Sequence, residues 1–170
     1  MFMNTAEIYH FMDDGVIPNN SLPVIVYRKV TEFEPEHAAD WLEDHFEQNG
    51  WTNAFRWRVY DYHHYHSNTH EVLGVYSGTA MLQLGGENGQ QIEVCVGDVL
   101  ILPAGTGHKS INHSKDFSVV GAYPDGKEPD LIRLEDKRPE DVREKIDQVA
   151  IPEHDPVYGQ SADGLLNIWR

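Results

Sequence analysis

Two short segments of this chain contain residue types that bind transition metals. One, HYHSNTHEVLGVYSG, runs from residue 64 to 78, and the other, GDVLILPAGTGHKSIN, runs from 97 to 112. His64 and His66 are two residues apart, so on a strand both side chains would face the same side, with Cα atoms about 7 Å apart. Glu71 follows after a turn-sized gap, and His108 comes from the second segment. Three imidazoles and a carboxylate suit one divalent transition metal ion and leave coordination positions open.

Spacing separates the candidate ligands from the other histidines nearby. Only His64 and His66 have a glutamate five positions after the second histidine. His63 has the opposite strand parity and should point away from the interior. We expect His70 to lie at the rim of the site or behind the ligands, and we expect His113 to be no ligand.

The two segments resemble the paired motifs of the cupin superfamily. The first motif, G(x)5HxH(x)3–4E(x)6G, is matched at His64, His66, Glu71 and Gly78. Its leading glycine falls on Arg58. The second motif, G(x)5PxG(x)2H(x)3N, is matched at Gly97, Pro103, Gly105, His108 and Asn112.

This resemblance implies an all-β fold, the double-stranded β-helix or cupin jelly-roll barrel, with a metal near its mouth. Within the superfamily the chain resembles the YjlB-like group of single-domain bacterial cupins. The four motif ligands would hold manganese, iron, nickel, cobalt or zinc, and the ligand set does not choose among them. Cupins commonly dimerise, so the resemblance also implies a homodimer, with Phe55, Trp57 and residues 165–169 as plausible contributors.

Length, charge and cysteine content narrow the class of protein. The chain has 170 residues and a formal charge of −15, which disfavours nucleic acid and anionic lipid surfaces as partners. A single cysteine excludes an intramolecular disulfide framework. Because we find neither a signal-peptide pattern nor an apolar run of about 18 residues, we expect a cytoplasmic protein.

Strand and turn patterns fill the middle of the chain. We expect one domain, with N-terminal strands and a helix in 1–53, the barrel core in 54–134, and a short helix and tail in 135–170. The N-terminal strands should cover 5–12 and 22–30, and the first helix lies within 34–50. Closely spaced short strands with glycine-rich turns between 55 and 134 favour a sandwich or barrel. The second helix lies within 138–150, and the apolar end of the tail should dock on its own barrel or on a partner subunit.

Alternation along residues 55–66, taken as one strand, predicts which side chains line the cavity. If His64 and His66 face inward, then Arg56, Arg58, Tyr60 and Tyr62 share their row. We therefore expect Arg58, Tyr60 and Tyr62 to line a wet pocket that meets an anionic or hydroxylated substrate. The apolar row, Phe55, Trp57 and Val59, would then face outward.

The ligand set indicates a small-molecule site without naming the reaction. A divalent ion with one carboxylate ligand keeps a charge of about +1 and favours a chelating, anionic substrate such as a 2-hydroxy acid, a 2-keto acid or an enediol. We favour an oxygenase acting on a small oxygen-rich metabolite over an isomerase or epimerase. The alternative from another class is a non-catalytic module that binds a metabolite or a metal. A purely structural or storage cupin is disfavoured, since it could dispense with the ligands.

Overall fold

The computed structural model describes residues 5–169 and shows a mostly β protein. Its strands are β1 (Glu7–Tyr9), β2 (Val24–Tyr27), β3 (Trp51–Trp57), β4 (His64–Tyr65), β5 (Glu71–Ser77), β6 (Thr79–Leu84), β7 (Gln90–Cys95), β8 (Val99–Leu102), β9 (His108–His113), β10 (Ser118–Pro124) and β11 (Ile132–Arg133). Its helices are α1 (Pro35–Gln48), α2 (Val142–Asp147) and α3 (Leu165–Ile168).

The strands form two antiparallel sheets that enclose the barrel interior. The six-stranded sheet has the order β1-β2-β8-β5-β10-β3, and the five-stranded sheet has the order β11-β4-β9-β6-β7. Buried side chains from both sheets form one apolar cluster between them, which includes Val26, Leu73 and Leu100 from the first sheet and Leu82 and Val94 from the second. The expected all-β double-stranded β-helix is therefore confirmed.

The central strands of the six-stranded sheet, such as β2 and β8, are buried on both faces, which explains their uninterrupted apolar sequences. In β2, Val24 and Val26 face the interior, whereas Ile25 and Tyr27 belong to a second cluster on the outer face. A strand covered on both sides reads as a continuous hydrophobic run and loses its alternation.

Helix α1 covers part of that outer face. Pro35 lies at its first turn, where a missing N–H costs nothing. Ala38, Leu42 and Phe46 are buried, whereas Trp41 and His45 stack on each other with ring centroids 3.5 Å apart. Close packing depends on Gly74 of β5, since a Cβ there would lie 2.9 Å from a methyl group of Leu42.

The C-terminal segment packs on its own barrel. The indole N–H of Trp169 donates to the carbonyl of Pro23 (2.8 Å), and that of Trp51 donates to the carbonyl of His154 (2.9 Å). Helix α2 is shorter than expected, and its Val142 and Ile146 are buried. The homodimer, the cytoplasmic location and the single-domain division stay predictions.

The expectation of one strand over residues 55–66 is wrong. β3 ends at Trp57, residues 58–63 are irregular, and β4 begins at His64. The inward and outward alternation of side chains along β3 therefore does not continue from Arg56 to His64 and His66. Arg56 instead turns outward to Asp40 and Glu43 of α1.

Asp155 is the centre of the tail's attachment, and its removal should destabilise the protein. It is fully buried, and its carboxylate accepts hydrogen bonds from the Tyr27 hydroxyl and from the backbone N–H groups of Val157, Tyr158 and Leu165. Because Asp155→Ala leaves these donors unpaired, we expect the free energy of unfolding in urea to fall by about 3 kcal/mol.

Asp163→Ala is the matched control, since Asp163 lies exposed in the same segment. It should change the free energy of unfolding by less than about 0.5 kcal/mol. An equally small loss for Asp155→Ala would show that the tail contributes little to the stability of the barrel.

Candidate metal centre

The two facing sheets bring the four motif side chains to one place in the interior. His64 lies on β4 and His108 at the start of β9, and their Cα atoms are direct partners across the two strands. Glu71 begins β5 on the opposite sheet, and His66 lies just beyond β4. Each of the four residues is less than a tenth exposed. Residues 44 positions apart thus become neighbours through strand pairing.

The three imidazoles point their Nε2 atoms toward a common space. Their Nδ1 atoms lie against backbone carbonyl oxygens, of Tyr62 for His64, of Thr106 for His108 and of Asp130 for His66. A carbonyl oxygen only accepts, so each Nδ1 must carry the proton and each neutral ring keeps a free lone pair on Nε2. One ligand atom from each ring lies within 4.8 Å of the others. This arrangement fits a metal ion bound by three histidines.

Glu71 adds a carboxylate to the same space. Its Oε1 lies 3.5 Å from Nε2 of His66 and 3.3 Å from Nε2 of His108. An ionised carboxylate and two imidazole lone pairs are all acceptors, so they are stable together when a proton or a metal cation lies between them.

The pKa values of the cluster reflect this need for a cation. Burial lowers the pKa of His64 to about 2, with the neighbouring His108 acting in the same direction. Burial also opposes ionisation of Glu71 and His66, but their mutual attraction outweighs it, so the pKa of Glu71 is lowered and that of His66 is raised. His64 is thus a neutral imidazole, and Glu71 carries the negative charge.

A loop from far along the chain orients His66. The carbonyl of Asp130 accepts the His66 Nδ1–H, and the Asp130 carboxylate accepts from the Ser67 backbone N–H at 2.6 Å and from the Ser67 hydroxyl. Lys145 of α2 lies 3.2 Å from the same carboxylate. Helix α2 therefore supports the loop that holds this histidine.

A cavity of about 270 Å³ opens beside the four side chains. Its lining consists of Phe55, Trp57, Arg58, Val59, Tyr60, His64, His66, Glu71, Leu73, His108, Tyr123, Pro129, Asp130 and Leu131. Of the predicted pocket residues, Arg58 and Tyr60 belong to this lining. Tyr62 does not; it stacks on Tyr60 with ring centroids 4.8 Å apart and receives the Arg133 guanidinium on its ring.

Several lining residues were missed by sequence reasoning, and Tyr123 is the most relevant to chemistry. Burial and then the charge of Glu71 raise the pKa of its hydroxyl, which therefore stays protonated and able to donate a hydrogen bond. Tyr123 lies one residue before the end of the apolar strand β10, just after a register shift between Gly121 and Tyr123. Phe55, Trp57 and Val59 were assigned to the outer row, and that assignment is wrong, since all three line the cavity.

The other histidines have separate positions. His70 is buried away from the cavity, where its Nδ1 accepts the Ala104 backbone N–H and its Nε2 lies 3.0 Å from the Ala150 carbonyl. Burial lowers the pKa of His70 to about 4. His63 is also buried, and His113 is exposed on β9. His70 thus connects two backbone segments and is not a rim residue.

The motif glycines are explained by backbone geometry, and so is the mismatch at Arg58. Gly97 and Gly105 have φ of 94° and 86°, and a Cβ on Gly97 would lie 2.5 Å from the Thr31 carbonyl oxygen. Arg58 is not among the described non-glycine residues with positive φ, so it takes the place of the motif glycine without backbone strain.

An antiparallel double-stranded β-helix with inward histidines and a glutamate at these positions defines the cupin class. Residues 59–120 match the cupin domain family. The chain belongs to the cupin family, in the YjlB-like group of single-domain members. "Uncharacterized protein YjlB" from Bacillus subtilis (strain 168) is 40% identical over 165 residues, which cover 96% of each chain.

Two solved structures show the range of proteins with a similar fold. Acireductone dioxygenase from Bacillus anthracis, with a cadmium ion in its active centre, is 16% identical over 62% of this chain and 80% of its own, with a TM-score of 0.42. WlaRA, a TDP-fucose-3,4-ketoisomerase from Campylobacter jejuni, is 16% identical over 43% of this chain and 59% of its own, with a TM-score of 0.37.

Within residues 5–169, no helix is long and apolar enough to cross a membrane.

His70 provides a test that separates a structural histidine from a ligand. His70→Leu removes the partners of two backbone groups, so the free energy of unfolding should fall by about 2–4 kcal/mol. Metal bound per chain, measured by elemental analysis, should stay unchanged. His10→Leu, at an exposed position, should alter neither quantity. Loss of bound metal from folded His70→Leu protein would contradict this structural role.

Proposed function

We propose that this protein is a metal-dependent enzyme acting on a small molecule, with His64, His66, His108 and Glu71 as the ligands of one divalent transition metal ion. The observation that carries the proposal is the shared orientation of the three imidazoles. Each donates its Nδ1–H to a backbone carbonyl, which leaves three Nε2 lone pairs within 4.8 Å of one another beside a buried carboxylate. A cation in that space would satisfy all four groups.

The donor set is compatible with catalysis as well as with storage of an ion. Four protein ligands leave about two positions of a six-coordinate ion available to other molecules. Such an ion would supply Lewis-acid or redox chemistry at the inner end of the cavity. The four side chains are buried and the walls beside them are mostly apolar, so electrostatic interactions at this end would be stronger than in bulk water.

The chain's own residues would bind and orient the substrate. Tyr123 has a protonated hydroxyl beside Glu71, and by donating to that carboxylate it would help to fix the orientation of Glu71 at the inner end of the cavity. Asp130 would act through His66, by holding the ring in the orientation that presents Nε2. Within this class we propose oxygenase chemistry ahead of isomerisation, because two available positions would suffice for one substrate oxygen and a second small reactant.

Metal content tests the ligand assignment directly. Metal-free protein titrated with Mn²⁺, Fe²⁺, Co²⁺, Ni²⁺ or Zn²⁺ should bind one ion per chain, and a metal at about 100 times its Kd should raise the free energy of unfolding by about 2.7 kcal/mol. His64→Ala and His108→Ala should each weaken binding by more than about 100-fold, since a ligand matters more than its supporting partners.

The matched control is His113→Ala, which changes an exposed histidine on the same strand as His108. This variant should bind metal like the unaltered protein. Equal metal binding by all three variants would refute the ligand assignment, as would the absence of any stoichiometric binding.

Turnover tests whether the site is catalytic. Iron-loaded protein, offered small 2-oxo acids, 2-hydroxy acids and enediols in an oxygen electrode, should consume dioxygen in proportion to the loss of at least one substrate. His64→Ala should lower the rate by more than about 100-fold, because a metal-dependent step cannot tolerate ligand loss. Product formed without dioxygen uptake would assign an isomerase or epimerase instead, and saturable binding without turnover would assign a binding module.

A further inference from the structure

The walls of the cavity have a chemical character that the ligand set does not dictate. Apart from the four motif side chains, the lining is mostly apolar or aromatic, with Phe55, Trp57, Leu73 and Leu131 among its members. With about 270 Å³, the cavity lies near the lower end of the range of about 300–1,000 Å³ for small-molecule sites. Such a space favours a compact ligand with an apolar body over a sugar or a long polar chain.

Aromatic rings extend from β3 to the histidines along two routes. On one route, Trp57 meets Tyr60 with centroids 5.0 Å apart, and Tyr60 meets His64 at 5.2 Å. On the other, Phe55 meets Tyr123 at 6.2 Å, and Tyr123 meets His66 at 6.1 Å. Because rings pack favourably by edge and by face, these lining side chains favour a planar aromatic ligand.

Gly121 makes room for one of these rings. A Cβ at Gly121 would lie 2.2 Å from the ring of Phe55, which packs directly over the backbone of β10. This close approach places Phe55 against the strand that carries Tyr123. The aromatic wall is therefore built into the pairing of β3 with β10.

Arg58 is the sole lysine or arginine in the lining. One of its N–H groups donates to the Lys115 carbonyl at 3.0 Å, and among the described residues it has no ion-pair partner. Arg56, two positions earlier, is bound by Asp40 and Glu43. A guanidinium beside an apolar cavity, with donors left over, is suited to a carboxylate. In a chain with a net charge of −15, such a group marks a specific place for an anion.

We propose that the cavity binds a small aromatic acid, with its ring between the aromatic side chains, its carboxylate at Arg58 and its oxygen substituents toward the histidine cluster. This inference rests on the proposed function for the role of the oxygen substituents. The contacts of the ring and the carboxylate do not depend on a metal.

A set of four probes removes each part of the proposed ligand in turn. 3,4-Dihydroxybenzoate has all three parts, catechol lacks the carboxylate, benzoate lacks the chelating oxygens, and 3,4-dihydroxycyclohexanecarboxylate lacks the aromatic ring. Calorimetry on metal-loaded protein should show at least 10-fold tighter binding of 3,4-dihydroxybenzoate than of each other probe. Equal affinity for the saturated analogue would overturn the inference.

Paired variants test the two recognition elements. Arg58→Gln should weaken 3,4-dihydroxybenzoate binding at least 10-fold and leave catechol binding unchanged, whereas Arg58→Lys should recover part of the loss. Arg56→Gln is the matched control and should change neither. Trp57→Leu should weaken the binding of both 3,4-dihydroxybenzoate and catechol. Phe33→Leu, at a similarly exposed position outside the lining, should leave the binding of both probes unchanged. Wild-type affinity in the folded Arg58→Gln protein would overturn the assignment of the carboxylate.

The same probes distinguish failure of this inference from failure of the proposed function. In metal-free protein, benzoate should bind weakly and lose affinity in Arg58→Gln. If elemental analysis finds no metal site but this dependence on Arg58 holds, the metal assignment fails and the aromatic-acid site stands. If one metal binds per chain but benzoate and 3,4-dihydroxybenzoate bind Arg58→Gln protein as tightly as the unaltered protein, the inference fails and the metal site stands.

Discussion

The buried charge of Glu71 imposes the strongest physical constraint on this barrel. A carboxylate removed from water costs several kcal/mol unless a cation and hydrogen-bond donors replace the lost hydration. Here its near neighbours are the Tyr123 hydroxyl, which can donate one hydrogen bond, and the Nε2 atoms of His66 and His108. The Nδ1 protons of both histidines are directed at backbone carbonyls. A proton shared with His66 would remove the repulsion between acceptor atoms in one contact, whereas a divalent ion would remove it in all of them together. The interior is thus arranged around a positive charge.

Segments far from the motifs are needed to maintain that arrangement. The carbonyls of Tyr62, Thr106 and Asp130 fix the three rings, and each belongs to a loop or an irregular stretch. Hydrogen bonds to Ser67 and an ion pair with Lys145 hold Asp130 in place. Orientation of a ligand by groups behind it is a general requirement of metal sites, and here it extends to helix α2.

The proximity of the four motif side chains could be predicted from the sequence because their spacing encodes local geometry. His64 and His66 share one strand end, and the turn residues before His108 bring β9 alongside β4. The walls of the cavity could not be predicted in this way. The chain breaks at residues 58–63, and the outer face of the six-stranded sheet is covered by α1 and the tail. Both features depend on tertiary contacts, so alternation along 55–66 placed Phe55, Trp57 and Arg56 on the wrong sides.

Helix α1 also determines how charge is distributed around the cavity. It presents Asp40 and Glu43 to Arg56, which neutralises that cation on the outer face of β3. The strand then ends at Trp57, and the following irregular segment turns Arg58 toward the cavity without an acidic partner among the described residues. The same helix that buries the sheet thus leaves one of two neighbouring arginines available. In a strongly acidic protein, whose overall field repels anions, this local difference makes the mouth of the cavity receptive to a carboxylate.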